Sequence, residues 1–188
     1  MWECLYLYDI YYQQTKNMQP SQNPCPDPPS YQVHFAVITV SDTRTPETDK
    51  SGNFIKQSMT NAGHILDYYT LVKDEPDEIR DQMYKLAAIA NLDAIILNGG
   101  TGIAPRDTTY DAIAALLEKT LPGFGEMFRY LSWQEVGSRA IASRSEAGIY
   151  QGKLVFSLPG SSNAVKLAIE QLILPEIIHL VRQLKGLH

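Results

Sequence analysis

The stretch that decides the fold is Ala94-Ile-Ile-Leu-Asn98, followed directly by Gly99-Gly-Thr-Gly102. Ala94 to Leu97 is an unbroken apolar run with two isoleucines, which is typical of a strand buried on both faces of a parallel sheet. The glycines then allow a sharp turn with exposed backbone N–H groups, because no Cβ hinders the approach of a ligand. The pattern predicts a central strand that ends in a cradle for an anion.

A helix is predicted after this loop. Its apolar residues recur at a spacing of three and four along one face: Ala112, Ile113, Leu116 and Leu117. Asp107, Thr108 or Thr109 can cap its first turn. A strand, a glycine loop and a helix start together form a phosphate site, although a plain turn is the alternative interpretation. Neither standard nucleotide motif fits, since Pro105 replaces the third glycine of the dinucleotide fingerprint and no Gly-Lys-Ser/Thr is present.

Two further strand-to-helix crossings have polar residues at their starts. His34 to Val40 reads as a buried strand, and Ser41-Asp42-Thr43-Arg44 follows it. The second crossing is Ser157-Leu-Pro-Gly160, after which Ser161, Ser162 or Asn163 can cap a helix. Turn formation alone is the alternative role for such residues. Because strand C-termini line one edge of an open parallel sheet, we expect the three loops to converge on one crevice.

The remaining pattern completes the fold class. Ile65 to Val72 is a third predicted strand, and Pro76 begins a helix after it. Pro122 to Gly125 is predicted as a turn, and Gly148 to Leu158 as a hairpin at the sheet edge. Pro175 should kink the last helical region or start a new helix. We therefore predict an α/β protein: a three-layer α/β/α fold with an open, mostly parallel sheet and an edge hairpin.

The amino-acid composition indicates how the chain is divided and argues against some classes of binding partner. Residues 1–30 are rich in Tyr, Gln, Asn and Pro and read as an N-terminal tail and linker, with one domain over residues 31–188. A formal charge of -5 argues against a nucleic-acid surface. Cys4 and Cys25 offer no disulfide framework or metal spacing, and residues 1–30 do not resemble a signal peptide. We expect a cytoplasmic protein without nucleic-acid or membrane partners.

The segment from Asn98 to Thr109 resembles the signature of the molybdopterin-binding MoaB/MogA family of molybdenum cofactor biosynthesis. Further matches follow the same order along the chain: Thr39 to Arg44, Leu121 to Glu126, Ser143 to Gly148 and Leu158 to Ser161. The resemblance covers about residues 33 to 184. Thr108-Thr109-Tyr110 is more similar to the MoaB branch, because many MogA-like members have proline at the position of Thr109.

The resemblance implies that the protein binds molybdopterin, ATP and Mg²⁺ and transfers an adenylyl group. In that reaction the molybdopterin phosphate attacks the α-phosphorus of ATP, and adenylylated molybdopterin and pyrophosphate are formed. The resemblance also implies a homotrimer or homohexamer and a partner protein that inserts molybdenum. Two other interpretations stay open: a carrier that binds molybdopterin without adenylylating it, and an interaction module like the related domain of a scaffold protein.

Residue roles are carried over by position. Asp74 and Asp107 match the family's two active-site aspartates, which would hold Mg²⁺ or orient the nucleotide. For Asp74, the alternative is a carboxylate that complements a helix dipole. Arg106 could bind a phosphate, or pair with Asp107 or a surface carboxylate. The nucleotide phosphates are assigned to Gly99, Gly100, Thr101 and Gly102, with Arg106. The residues assigned to molybdopterin are Ser41, Asp42, Thr43, Arg44, Ser143, Arg144, Ser145, Gly160 and Ser161.

Overall fold

The computed structural model describes residues 31–187. The predictions for residues 1–30, including both cysteines, lie outside the described residues. Within them, six strands form one sheet: β1 His34–Val40, β2 Ile65–Val72, β3 Ala94–Asn98, β4 Lys119–Thr120, β5 Glu146–Tyr150 and β6 Lys153–Leu158. The α-helices are α1 Lys50–Asn61, α2 Pro76–Ala87, α3 Thr109–Ala114, α4 Pro122–Val136, α5 Ser162–Ala168 and α6 Leu174–Leu184. A 3₁₀ helix spans Gly137–Ala142, and a π-helical turn spans Ile169–Ile173.

The strand order is β2-β1-β3-β6-β5-β4. The first four strands in this order are parallel, whereas β5 and β4 each run antiparallel to their preceding neighbour. Strand β3 lies in the centre, as its apolar run predicts. Thr39 of β1 pairs with Asn98 of β3, which pairs with Leu158 of β6. These three strands therefore end at one level, and their loops start side by side.

Helices cover both faces of the sheet because its central strands are apolar on both sides. On β1, Phe35 and Val37 pack into one hydrophobic core, while Ala36 and Ile38 pack into the other. The first core is closed by α1, α4, α5 and α6, and the second by α2 and α3. The predicted three-layer α/β/α class is confirmed.

The hairpin is correctly predicted, but its second strand lies inside the sheet. Gln151 and Gly152 form its turn with φ of 45° and 72°, as a primed two-residue turn requires. Strand β6 then pairs in parallel with β3, so the edge beyond β5 is formed by β4. With two residues, β4 has no periodicity from which it could be predicted.

Three helix boundaries differ from the predictions or refine them. The predicted turn at Pro122 is wrong, because the proline occupies the first turn of the 15-residue helix α4, where no N–H partner is required. Helix α3 ends at Ala114, so Leu116 and Leu117 pack beyond it. Pro175 does start a new helix, and the π-helical turn before it accommodates its missing N–H donor.

Helices that are long and apolar enough to span a lipid bilayer are absent from residues 31–187.

A buried carboxylate joins α1 to the sheet. Asp49 is the N-cap of α1 and accepts a hydrogen bond from the Gly52 amide at 2.9 Å. It also accepts from the Thr39 hydroxyl at 2.6 Å and the Tyr69 hydroxyl at 2.8 Å, and it is fully buried. Burial, together with the Asp49 charge, raises the pKa of Tyr69 to about 12. This carboxylate therefore satisfies donors from β1, β2 and α1 at once.

We predict that Asp49→Ala destabilises the fold. It removes a helix cap, worth about 1 kcal/mol, and leaves two hydroxyls without their acceptor at about 1 kcal/mol or more each. The thermal midpoint should fall by roughly 5 to 15 °C. The control is Asp77→Ala, because the Asp77 side chain is 98% exposed in its ion pair with Arg80. Equal midpoints for the two variants would contradict the joining role of Asp49.

Candidate functional site

A cavity of about 640 Å³ lies at the carboxyl ends of β1, β3 and β6. Its volume falls within the roughly 300 to 1,000 Å³ that small-molecule sites occupy. Most of the predicted site residues line it: Ser41, Asp42, Thr43, Arg44, Asp74, Gly99, Gly100, Thr101, Gly102, Arg106, Asp107, Ser143 and Gly160. The predicted convergence of the three strand-to-helix loops on one crevice is confirmed.

The glycine loop forms one wall of this cavity. Gly99 and Gly100 have φ of 111° and 63°, a region that residues with a Cβ adopt only with strain. The Gly99 amide donates to the Leu158 carbonyl at 3.0 Å, which ties the loop to β6. Within the described part of the chain, the amides of Gly100, Thr101 and Gly102 have no hydrogen-bond acceptor. Three successive donors at a cavity wall suit an anion.

Asp74 lies directly behind this loop and is almost fully buried. Its Oδ1 accepts hydrogen bonds from the Thr108 amide at 3.0 Å and the Thr108 hydroxyl at 2.8 Å. Its Oδ2 lies against Gly100, at the place that a Cβ on this glycine would occupy. Asp74 therefore fixes the start of α3, and Gly100 fits beside it only because it lacks a side chain.

Asp107 sits on the other side of the loop. Its Oδ2 accepts a hydrogen bond from the Ala104 amide at 3.2 Å and lies against Gly102. The N-cap of α3 is Thr108, whose side chain makes no capping hydrogen bond. Asp107 thus does not cap this helix, and its carboxylate stays at the cavity wall.

Arg106 pairs with carboxylates other than that of Asp107. Its Nε and one terminal nitrogen each donate to Asp42 at 2.8 Å. Its other terminal nitrogen donates to Glu75 and to the Asp74 carbonyl, both at 2.8 Å. Hydrogen bonds from Arg106 hold the pKa of Asp42 below its usual value. Of the alternatives left open for Arg106, the structure shows pairing with surface carboxylates, and the guanidinium also lines the cavity, where phosphate binding stays a prediction.

The loop after β1 combines turn formation with contact to the cavity. The Ser41 hydroxyl accepts from the amides of Thr43 and Arg44 at 3.3 and 3.1 Å, as in a short polar turn. Arg44 reaches across to donate to the Gly160 carbonyl at 2.7 Å and to Asp49 at 3.4 Å. The loops after β1 and β6 are therefore joined at the cavity wall.

Three residues assigned to molybdopterin do not line this cavity. The Arg144 guanidinium is held by the glycine loop, where it donates to the carbonyls of Thr101, Gly102 and Asp107 at 3.2, 2.5 and 3.2 Å. Ser145 is buried and faces a neighbouring cleft. The Ser161 hydroxyl accepts from the Ala164 amide at 3.3 Å and so caps α5.

Four lining residues are absent from the predicted site residues. Val40 and Pro159 lie in the predicted strand-to-helix crossings, whereas the sequence gives no indication of the other two. Arg139 and Ala142 reach the cavity from the 3₁₀ helix that follows α4. No local pattern marks them, because their position depends on the abrupt turn at Gly137, which has φ of 62°. Arg139 adds a third guanidinium to a wall that already contains Arg44 and Arg106.

The donor set suits magnesium with a phosphate ligand. Within residues 31–187 there is no group of three or more His, Cys, Asp or Glu side chains that could hold a metal alone. Magnesium, however, is usually held by one or two carboxylates together with substrate phosphates and water. Asp74 and Asp107 border the same cavity as the unpaired loop amides, and both lie against glycines that leave room beside them.

An open, mostly parallel sheet with a glycine loop and a polar cavity at its switch point is the arrangement in which α/β proteins bind anionic small molecules. A family model described as "Probable molybdopterin binding domain" matches residues 36–179. The chain belongs to this family, which confirms the resemblance read from its motifs.

Individual relatives agree with this assignment. Molybdenum cofactor biosynthesis protein B of Bacillus subtilis (strain 168) is 53% identical over 154 residues, which are 81% of this chain and 91% of that protein. A crystal structure of a molybdenum cofactor biosynthesis protein B matches with a TM-score of 0.81 at 43% identity, covering 88% of this chain and 99% of that chain. The crystal structure of the tungsten cofactor synthesizing protein MoaB from Pyrococcus furiosus matches with a TM-score of 0.74 at 37% identity. The match covers 82% of this chain and 98% of that chain.

We predict that Gly100→Ala abolishes nucleotide binding while the protein stays folded. The new Cβ meets the Asp74 carboxylate and the Thr109 hydroxyl, so the loop has to move away from its anion-binding shape. Gly63→Ala is the matched control, because Gly63 also has a positive φ of 91° but has open space around its Cβ position. Both variants should lose about 1 kcal/mol of stability from backbone strain.

Titration calorimetry with Mg-ATP, together with thermal melts, separates the two effects. Gly63→Ala should bind as the wild type does. Unchanged affinity in Gly100→Ala would mean that the loop is only a turn.

Proposed function

We propose that this protein acts in molybdenum cofactor biosynthesis, where it binds molybdopterin and adenylylates it with Mg-ATP. The main support for this proposal is the run of three backbone amides, from Gly100 to Gly102, that have no hydrogen-bond acceptor among the described residues. They lie at the wall of a cavity that also contains carboxylates and guanidinium groups. Family membership supports molybdopterin as the ligand. The names of its relatives support the pathway.

The geometry suits a reaction between two phosphates. In the proposed step, an oxygen of the molybdopterin phosphate attacks the α-phosphorus of ATP, the bond to the β-phosphate oxygen breaks, and pyrophosphate leaves. Such chemistry depends mainly on positioning and charge neutralisation. The loop amides would bind the nucleotide phosphates, while Arg44, Arg106 and Arg139 would offset the charge of the second phosphate.

Magnesium fits this scheme as a cofactor held by the Asp74 and Asp107 carboxylates. When bound, it would neutralise charge on the phosphate oxygens. Asp107 is the better placed of the two to hold it, because among residues 31–187 only the Ala104 amide donates to its carboxylate. Asp74 is engaged on one oxygen by Thr108 and presents the other toward the loop.

A carrier of molybdopterin without adenylylating activity is the second candidate. It is favoured by the ion pairs of Arg106, since Asp42 and Glu75 already neutralise the guanidinium that would otherwise offset phosphate charge. A carrier would need the cavity and the loop amides but not the charge of Asp107. The two candidate functions therefore differ in whether the negative charge of Asp107 is needed: the transferase requires it, and the carrier does not.

We also propose that the protein forms a homotrimer or homohexamer in the cytoplasm and delivers its product to a molybdenum-insertion protein. Helix α4 exposes four large apolar side chains: Met127, Tyr130, Trp133 and Val136. Exposed apolar side chains of this size support contact with another protein surface.

We predict that Asp107→Asn lowers the rate of pyrophosphate release by on the order of 10²-fold or more while molybdopterin affinity stays nearly unchanged. Asparagine keeps the shape and can still accept the hydrogen bond from Ala104, so the substitution removes charge without removing the turn. The rate, the affinity and the thermal midpoint should be measured on one preparation with Mg-ATP and molybdopterin.

Asp81→Asn is the matched control, because Asp81 is an exposed carboxylate on α2 that does not line the cavity. Unchanged turnover in Asp107→Asn would remove this residue from the mechanism. Tight molybdopterin binding without pyrophosphate release in the wild type would favour the carrier.

A further inference from the structure

A second cleft, of about 350 Å³, adjoins the ligand cavity. Ser143 lines both, so the segment Ser143 to Ser145 separates the two spaces. Glu146 and Arg129 lie in its wall. Nothing in the adenylyl-transfer scheme uses this cleft, although it is wide enough for a small ring system and continues the crevice beyond the glycine loop.

Glu146 is the unusual group in this cleft. It begins β5, and its Oε2 is buried without a hydrogen-bond partner in the described part of the chain. Arg129 donates to the Ser145 carbonyl at 3.5 Å. Burial raises the pKa of the Glu146 carboxyl, and the Arg129 charge only partly opposes it. An enclosed carboxyl oxygen without a donor is unfavourable, so such a group needs an explanation.

Rotation about the last bond of the glutamate side chain brings either oxygen to the cleft, because this torsion has a broad profile. The hydroxyls of Ser143 and Ser145, with their oxygens 3.3 Å apart, line the same wall and can donate or accept. The cleft therefore offers a carboxylate flanked by two hydroxyls. A flat heterocycle with adjacent N–H donors matches this set.

We propose that this cleft binds the pterin end of molybdopterin and that Glu146 pairs with the N–H donors on the pyrimidine edge of the pterin. This inference rests on the proposed function, because a phosphate at the glycine loop leaves the other end of the same molecule to extend past Ser143. The exocyclic amine and the neighbouring ring N–H of a pterin present two parallel donors. A carboxylate oxygen has two lone pairs, so the Glu146 oxygen at the cleft wall can accept from both donors while the other oxygen stays enclosed.

The test compares two phosphate-free probes on the full-length protein: 6-hydroxymethylpterin and the corresponding lumazine, in which an oxygen replaces the exocyclic amine. The wild type should bind the pterin about tenfold or more tightly than the lumazine, as expected for a hydrogen bond to a charged group. Glu146→Gln should reduce this preference to about threefold or less, because its amide nitrogen cannot accept from the amine. Mg-ATP affinity should not change.

Glu126→Gln is the matched control, since Glu126 is an exposed carboxylate that lines the same cleft. It should keep the wild-type preference. The comparison of probes on the wild type requires no variant, so a folding defect in Glu146→Gln cannot hide the answer.

Equal binding of the two probes by the wild type would overturn the inference. So would an unchanged preference in Glu146→Gln, or no pterin binding by a wild type that still binds Mg-ATP. Failure of the proposed function has a different signature, because there Mg-ATP itself would not bind or no pyrophosphate would be released with molybdopterin.

Discussion

The contact between Arg144 and the glycine loop determines which way the loop faces. One guanidinium donates to the carbonyls of Thr101, Gly102 and Asp107. One of its terminal nitrogens also contacts both carboxylate oxygens of Asp111 at 3.1 Å, which holds the side chain in place. Its fork of five planar donors makes this possible, whereas the point charge of a lysine would not. In a trans peptide unit the C=O and the N–H point in opposite directions. By holding the Thr101 carbonyl on one side, Arg144 turns the Gly102 amide of the same peptide unit to the other side. The Thr109 amide, which donates to the Gly100 carbonyl at 3.0 Å, does the same for the Thr101 amide.

Beneath the loops, a buried chain of hydrogen bonds fixes the distance between the strand ends. The Asn98 amide donates to the Thr39 hydroxyl at 2.9 Å, and Thr39 donates to Asp49. These residues are fully buried, so the floor of the cavity is rigid. The rim differs, since the ion pair between Arg106 and Asp42 is about half exposed and contributes little to stability. A ligand phosphate can compete for Arg106 without disturbing the floor.

The sequence was most informative where the cause of the structure is local. Continuous apolar runs mark β1 and β3 because parallel strands are buried on both faces, and the glycines mark the loop because only they tolerate its φ values. The role of Arg144 could not be predicted, since its acceptors lie about forty residues earlier in the chain. Pro122 was misread because a proline followed by glycine marks a turn and a helix start equally well.

The two aspartates that match the family's active-site positions are physically different residues. Asp74 is enclosed, and its Oδ1 receives an amide and two hydroxyls at 3.4 Å or less, so neutralising it would disturb the start of α3. Asp107 is half buried and receives one amide donor. A loss of activity at Asp74 would therefore report on loop geometry as much as on chemistry. Only at Asp107 does a change of charge leave the architecture intact, and the choice between transferase and carrier depends on this carboxylate.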